Sequence, residues 1–110
     1  MRIMTGVLSL LPGVVCAQDW QALSGDEVRA ALEGRTLTYT SGAVQDFRAS
    51  GKTLYNAGQD SWGNWRVQGA QYCSQWSPSD LWACYDMAKR KETLRFIGEA
   101  GDVTDGVYSD

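Results

Sequence analysis

The residue types that most often carry out chemistry are scarce in this chain of 110 residues. It contains no His, so the usual general base and the commonest metal ligand are missing. Ser-His-Asp and Cys-His nucleophilic arrangements cannot be assembled without it. Carboxylates fall in pairs at Asp26/Glu27 and Asp102/Asp105. Glu27 stands three residues after Ser24, the spacing of a capping box, so the first pair is accounted for by a helix start. The second pair lies in a polar turn; the run Asp102-Val103-Thr104-Asp105-Gly106 lacks the alternating oxygen ligands and distal Glu of a calcium loop. Two cysteines of a His-free domain are too few ligands for zinc. No catalytic residue, metal site or cofactor is expected, and the protein is read as not an enzyme.

The amino terminus predicts export. Arg2 supplies a positive end, and Val7 to Val15 form an apolar stretch interrupted by Ser9, Pro12 and Gly13. Spanning a bilayer takes about 20 apolar residues, whereas a signal peptide needs only about 7–15 followed by small residues at the cut. Val15-Cys16-Ala17 suits cleavage after Ala17, giving a signal peptide over 1–17 and one mature domain over 18–110. Acylation at Cys16 is the alternative, weakened by Val15 where a small residue normally stands. Loss of Arg2 takes the net charge from −3 to −4, which disfavours nucleic acid and anionic lipid as partners. The one basic cluster, Lys89-Arg90-Lys91, reads as a solvated turn. A periplasmic or secreted location follows, and there Cys73 and Cys84 are expected to form a disulfide.

Aromatic residues are the remaining candidates. All five Trp and all five Tyr fall after residue 17. Most serve a small β core, which uses rings to bury area with few residues. Trp62 and Trp82 differ, since each falls on the face opposite an evident core partner. An exposed Trp is what ligands and protein partners dock against. With Arg66 as the charged contributor, Trp62 and Trp82 form the expected binding surface. Burial of both rings beneath the helix is the competing expectation.

The elements that must hold these residues begin with a short helix capped by Ser24, with Val28, Ala31 and Leu32 as an apolar stripe and Gly34 ending it. From Arg35 the pattern changes to short runs rich in Thr, Val, Tyr, Trp and Phe, separated by glycine turns. Strands are expected near 35–40, 43–49, 52–57, 62–68, 70–76, 81–88 and 92–97, with another near 103–108. The fold class is mostly β: the helix packs on a seven- or eight-stranded antiparallel meander that hides its edges by curling into a small barrel or a coiled sheet. Ser50-Gly51 reads as a two-residue hairpin loop pairing Ala49 with Lys52. If Cys73 faces Cys84, Trp76 faces Leu81 across a turn at 77–80 with Pro78 at its second position. Tyr72, Trp76, Leu81, Ala83, Tyr85 and Met87 then form the core face.

The series Gly63-Asn64-Trp65-Arg66-Val67, Tyr72-Cys73-Ser74-Gln75-Trp76 and Trp82-Ala83-Cys84-Tyr85, after the Leu-Ser-Gly-Asp-Glu-Val helix start, resembles a group of small exported bacterial proteins. That group consists mostly of domains of unknown function described as lipocalin-like or small β-barrels. The resemblance spans roughly residues 23–98, implies a periplasmic β fold, and carries no catalytic residues. The expected role is binding of a small molecule or an envelope protein by a monomer. A barrel-type inhibitor presenting the 77–80 loop and a structural envelope component are the alternatives.

Overall fold

The structure is a computed structural model that describes residues 20–110. The expected signal peptide over 1–17, its expected cut after Ala17 and Cys16 lie outside the described residues. Strand β1 (Gln21–Ala22) precedes helix α1 (Gly25–Leu32). There follow β2 (Arg35–Tyr39), β3 (Val44–Phe47), β4 (Lys52–Asn56), β5 (Asp60–Gln68), β6 (Gln71–Trp76), β7 (Ala83–Arg90), β8 (Thr93–Ile97) and β9 (Val103–Tyr108).

Each strand from β2 to β9 pairs antiparallel with the next, and β9 returns to pair with β2 through Leu37 opposite Tyr108 and Tyr39 opposite Gly106. The result is a closed eight-stranded barrel, which leaves no open sheet edge among these strands. The additional strand β1 extends the wall at β7. There β6 covers Ala83 to Asp86 and β1 takes over at Ala88 and Lys89.

Helix α1 starts as its residues require. The Ser24 side chain accepts from the Glu27 N–H at 3.3 Å and Glu27 accepts from the Ser24 N–H at 2.8 Å, completing the capping box. Its apolar stripe buries Val28 and Leu32 completely. The helix packs on β2, β5 and β6, so these two side chains plug one end of the barrel. Phe47 lies at the centre of the plugged half, with ring centroids 5.8 Å from Trp65, 5.7 Å from Tyr72 and 6.4 Å from Phe96. Trp65 is 4 % exposed, and its indole N–H donates to the Arg48 carbonyl at 2.8 Å, which removes the cost of burying that donor.

Two hairpins depart from the sequence expectation. Phe47 pairs with Thr53, not Leu54. The β3–β4 connection is therefore a three-residue loop, with Gly51 donating to Arg48 O at 3.0 Å and holding φ 93°. A left-handed glycine at the end of such a loop is the standard way to close it. The one-residue difference exchanges the faces of β4, so Thr53 and Tyr55 point inward. In the second hairpin Cys73 faces Cys84 and is bonded to it. The ladder stops at Ser74 opposite Ala83, however. Pro78, after a cis bond, takes the third position of a turn in which Ser79 N–H donates to Trp76 O at 3.0 Å. Residues 77–82 leave the sheet, strand alternation no longer applies to them, and Leu81 is 76 % exposed instead of lying in the core.

Strand β9 is clamped from both sides. Arg95 on β8 grips Asp105 with two bonds of 2.9 Å, and Arg35 on β2 grips Asp110 with bonds of 2.9 and 3.1 Å. Such forked pairs set geometry as well as contributing attraction. The Arg35 hydrogen bonds, helped by the Thr36 N–H, lower Asp110 to about 2. The Arg95 hydrogen bonds hold Asp105 below its ordinary range. A carboxylate whose folded pKa lies below its unfolded value of about 3.9 stabilises the fold fully above that pH and loses the contribution as pH falls through the folded value.

Two outcomes follow for stability. Cys73→Ser with Cys84→Ser should lower unfolding free energy by about 2–4 kcal/mol, because the unfolded chain regains the freedom of the closed loop; an unchanged urea midpoint would contradict this. The urea midpoint of the parent should fall between about pH 4 and pH 2. Asp110→Asn should lie below the parent at pH 6 and approach it at pH 2, and a gap that stays constant with pH would contradict the clamp.

Candidate functional site

Inward positions alternate along each strand, and their sizes change with height. At the plugged end they are Leu37, Phe47, Trp65, Met87 and Leu94, all buried. A polar layer lies above them. Gln45, only 4 % exposed, accepts from the Tyr39 hydroxyl at 2.5 Å and donates through Nε2 to Thr53 Oγ1 at 2.8 Å and to the Tyr72 hydroxyl at 3.2 Å. Thr53 donates onward to the Asp46 carbonyl at 2.5 Å. Both amide hydrogens and the carbonyl oxygen of Gln45 are thus used, which is what burial of an amide demands. Burial pushes the Tyr39 and Tyr72 hydroxyls well above the ordinary phenol range, so both stay neutral.

Above this layer the barrel is not filled. A cavity of about 610 Å³ opens at the end opposite α1, within the size range of small-molecule sites. Its wall carries the rings of Tyr39, Tyr55, Tyr72, Trp76, Tyr85 and Phe96, and hydroxyls of Ser41, Ser61, Ser74, Ser77 and Thr104. Two glycines keep the lumen open. A Cβ on Gly63 would strike the ring of Trp76, its cross-strand partner, and a Cβ on Gly106 would come within 3.0 Å of the Tyr39 ring. With no side chain at either position, both rings lie back across the wall in place of projecting into the space. Trp76 is fixed there by its indole N–H, which donates to Ser74 Oγ at 3.1 Å.

The rings form a connected collar. Tyr55 sits 6.0 Å from Trp76 and 6.2 Å from Tyr39; Tyr39 is 5.8 Å from Phe96, which is 6.5 Å from Tyr85. All but the tilted Tyr39–Tyr55 pair are edge-to-face, an arrangement that stabilises beyond its buried area.

The residues expected to bind occupy the outer wall. Trp62 borders the cavity mouth and is 50 % exposed, with the Arg48 guanidinium 4.7 Å from its ring. Arg66 and Trp82 are brought together, the guanidinium stacking 3.9 Å from the indole. Arg66 stands opposite Cys73 on the neighbouring strand and Trp82 two residues before Cys84, so the stack flanks the disulfide and Trp82 is half-buried. Trp82 lines a second, shallower concavity with Leu81, Glu99 and Asp102, which shares Ser74, Trp76 and Tyr85 with the main cavity. Helix α1 packs on β2, β5 and β6, and Trp62 stays half exposed. A further Trp, Trp20, lies between Arg90 at 4.4 Å and Arg95 at 3.9 Å, so part of the basic cluster at 89–91 fastens the start of the described chain.

Among the described residues no three His, Cys, Asp or Glu side chains are grouped to hold a metal ion. Asp105 is committed to Arg95, while Asp102 folds against Gly98. Sequence reasoning missed Gln45, Tyr39 and Tyr55 as site residues. Glycine directly opposite an aromatic, as at Gly63 and Trp76, is the signal that could have marked the open wall, but it requires the β5–β6 register.

Trp65→Ala should cost about 3–5 kcal/mol, as a packed core Trp does. Trp62→Ala should cost about 1 kcal/mol or less, since it removes only an exposed stack. Equal losses in urea unfolding would place Trp62 in the core. Comparison of the chain with protein-family models, with curated proteins and with solved structures found no match in any of the three.

Proposed function

We propose that this is an exported binding protein that takes a small molecule into the open end of its barrel. The observation that carries this reading is the 610 Å³ cavity above the hydrogen-bonded layer around Gln45. Eight strands enclose an interior that side chains can fill completely or that can hold one small ligand. Here the upper inward positions are held back by Gly63 and Gly106. Export rests on the leader features of residues 1–17 and accords with the Cys73–Cys84 disulfide. No helix among the described residues is long and apolar enough to cross a membrane. The periplasm, a monomeric state and kinship with the small lipocalin-like exported proteins belong to the same proposal, as does a role in binding without catalysis.

A second reading, docking of an envelope protein on the outer wall, is favoured by the exposed Trp62 ring under Arg48 and by the Arg66–Trp82 stack. Desolvated Trp and Arg are the residues that dominate protein interfaces.

The readings separate with Nile red, a neutral dye whose emission rises in apolar sites. The parent should bind it, and Ser61→Trp or Thr104→Trp, which fill the mouth from exposed positions, should weaken binding by about tenfold or more, equivalent to about 1.4 kcal/mol. Arg66→Ala should leave it unchanged. Binding that survives both mouth substitutions but falls with Arg66→Ala would move the site to the outer wall.

A further inference from the structure

The cavity lining specifies more than volume. None of the described residues that line it is Asp, Glu, Lys or Arg, although charged residues make up 21 % of the chain. Arg48, Arg66 and Arg95 stack on Trp62, Trp82 and Trp20, and none of them lines the lumen. A charged group brought into the lumen would lose hydration and find no counter-charge among the described residues that line it. The lining offers neutral hydroxyls in its place.

These hydroxyls are of two kinds. Those of Tyr39 and Tyr72 are engaged with Gln45, and Ser74 Oγ accepts from Trp76. The hydroxyls of Tyr55 and Tyr85, half-buried on the collar, form no hydrogen bond among the described residues. Each of these two phenols is nevertheless held in place by two rings: Tyr55 by Tyr39 and Trp76, Tyr85 by Tyr72 at 5.9 Å and Phe96. Immobile donors with unused hydrogens cost little further ordering when a ligand arrives. The remaining surface between them is ring face and ring edge, which favours offset or edge-on contact with another flat ring.

We infer that the ligand is an uncharged, flat aromatic molecule bearing keto or phenolic oxygens that accept hydrogen bonds from Tyr55 and Tyr85. This rests on the cavity being the binding site. Carboxylates, phosphates and organic cations are rejected by the absence of counter-charge, and aliphatic chains are disfavoured because they leave both phenols unpaired.

The test uses 2-naphthol, 2-naphthoate and 2-naphthylmethylammonium, which share a ring system and differ in charge, with 1-decanol as the aliphatic control. Titration at pH 7, followed by Trp fluorescence and calorimetry, should show binding of 2-naphthol at least about tenfold tighter than either ion. Tyr55→Phe and Tyr85→Phe keep the rings, and hence the collar. At least one of them, the phenol that the single naphthol oxygen reaches, should weaken 2-naphthol about threefold to tenfold, the worth of one neutral hydrogen bond, with an unchanged urea midpoint. Equal binding of the ions, or no effect of either substitution, would overturn the inference. Binding of 1-decanol without 2-naphthol, lost on Ser61→Trp, would overturn the aromatic class yet leave the cavity as the site. If no probe binds, including Nile red, the cavity reading itself fails.

Discussion

Everything in this molecule depends on the pairing of β9 with β2. Until Leu37, Thr38 and Tyr39 meet Tyr108, Val107 and Gly106, the strands form a curled meander with two raw edges. Once they meet, circumference and interior are fixed together, because strand number and stagger set a barrel's width. The joint links segments nearly 70 residues apart in the chain. It is reinforced on both sides of β9 by guanidinium forks, Arg95 on Asp105 and Arg35 on Asp110. Individually such exposed pairs add little stability; their value here is geometric, since both fork geometries hold the closing strand in one register.

A closed interior must then be filled, left open or occupied. Helix α1 and the Phe47 cluster fill one half. At the other end the chain invests in emptiness, with Gly63 and Gly106 giving Trp76 and Tyr39 room to lie against the wall. The boundary between the halves is Gln45. An amide at that depth would be expensive if any of its atoms lacked a partner, and none does. The layer thus lies between a packed core and the lumen, and Tyr39, Tyr72 and Phe96 serve both, lining the lumen while packing in the core.

How much of this was legible in the sequence follows from the range of each interaction. The α1 start was readable because Ser24 and Glu27 are three residues apart and satisfy one another. The cysteine hairpin register was readable because a covalent bond fixes it. The β3–β4 register was not, since two- and three-residue loops both suit the residues around Gly51 and only the ladder decides between them. Leu81 was assigned inward by alternation that stops when the chain leaves the sheet at Ser77. Trp62 is expected opposite its core partners and is half exposed at the cavity mouth, whereas Trp82 lies in the segment that leaves the sheet and is half-buried in a stack with Arg66. The cavity itself was invisible: vacancy belongs to no residue, and it arises from cross-strand neighbours such as Gly63 with Trp76. The Arg35–Asp110 and Arg95–Asp105 forks were hidden for the same reason, as only the closed topology brings them together.

The central claim is that the hydrogen-bonded layer around Gln45 divides a packed half from an open half. A high-resolution crystal structure of the ligand-free protein tests it most directly, through the positions of Trp76 and of ordered water. The account requires the Trp76 ring to lie across Gly63, water hydrogen-bonded to the Tyr55 and Tyr85 hydroxyls, and no water between Gln45 and Leu32. A Trp76 ring swung inward to fill the lumen, or water threading past Gln45 to the helix, would contradict it.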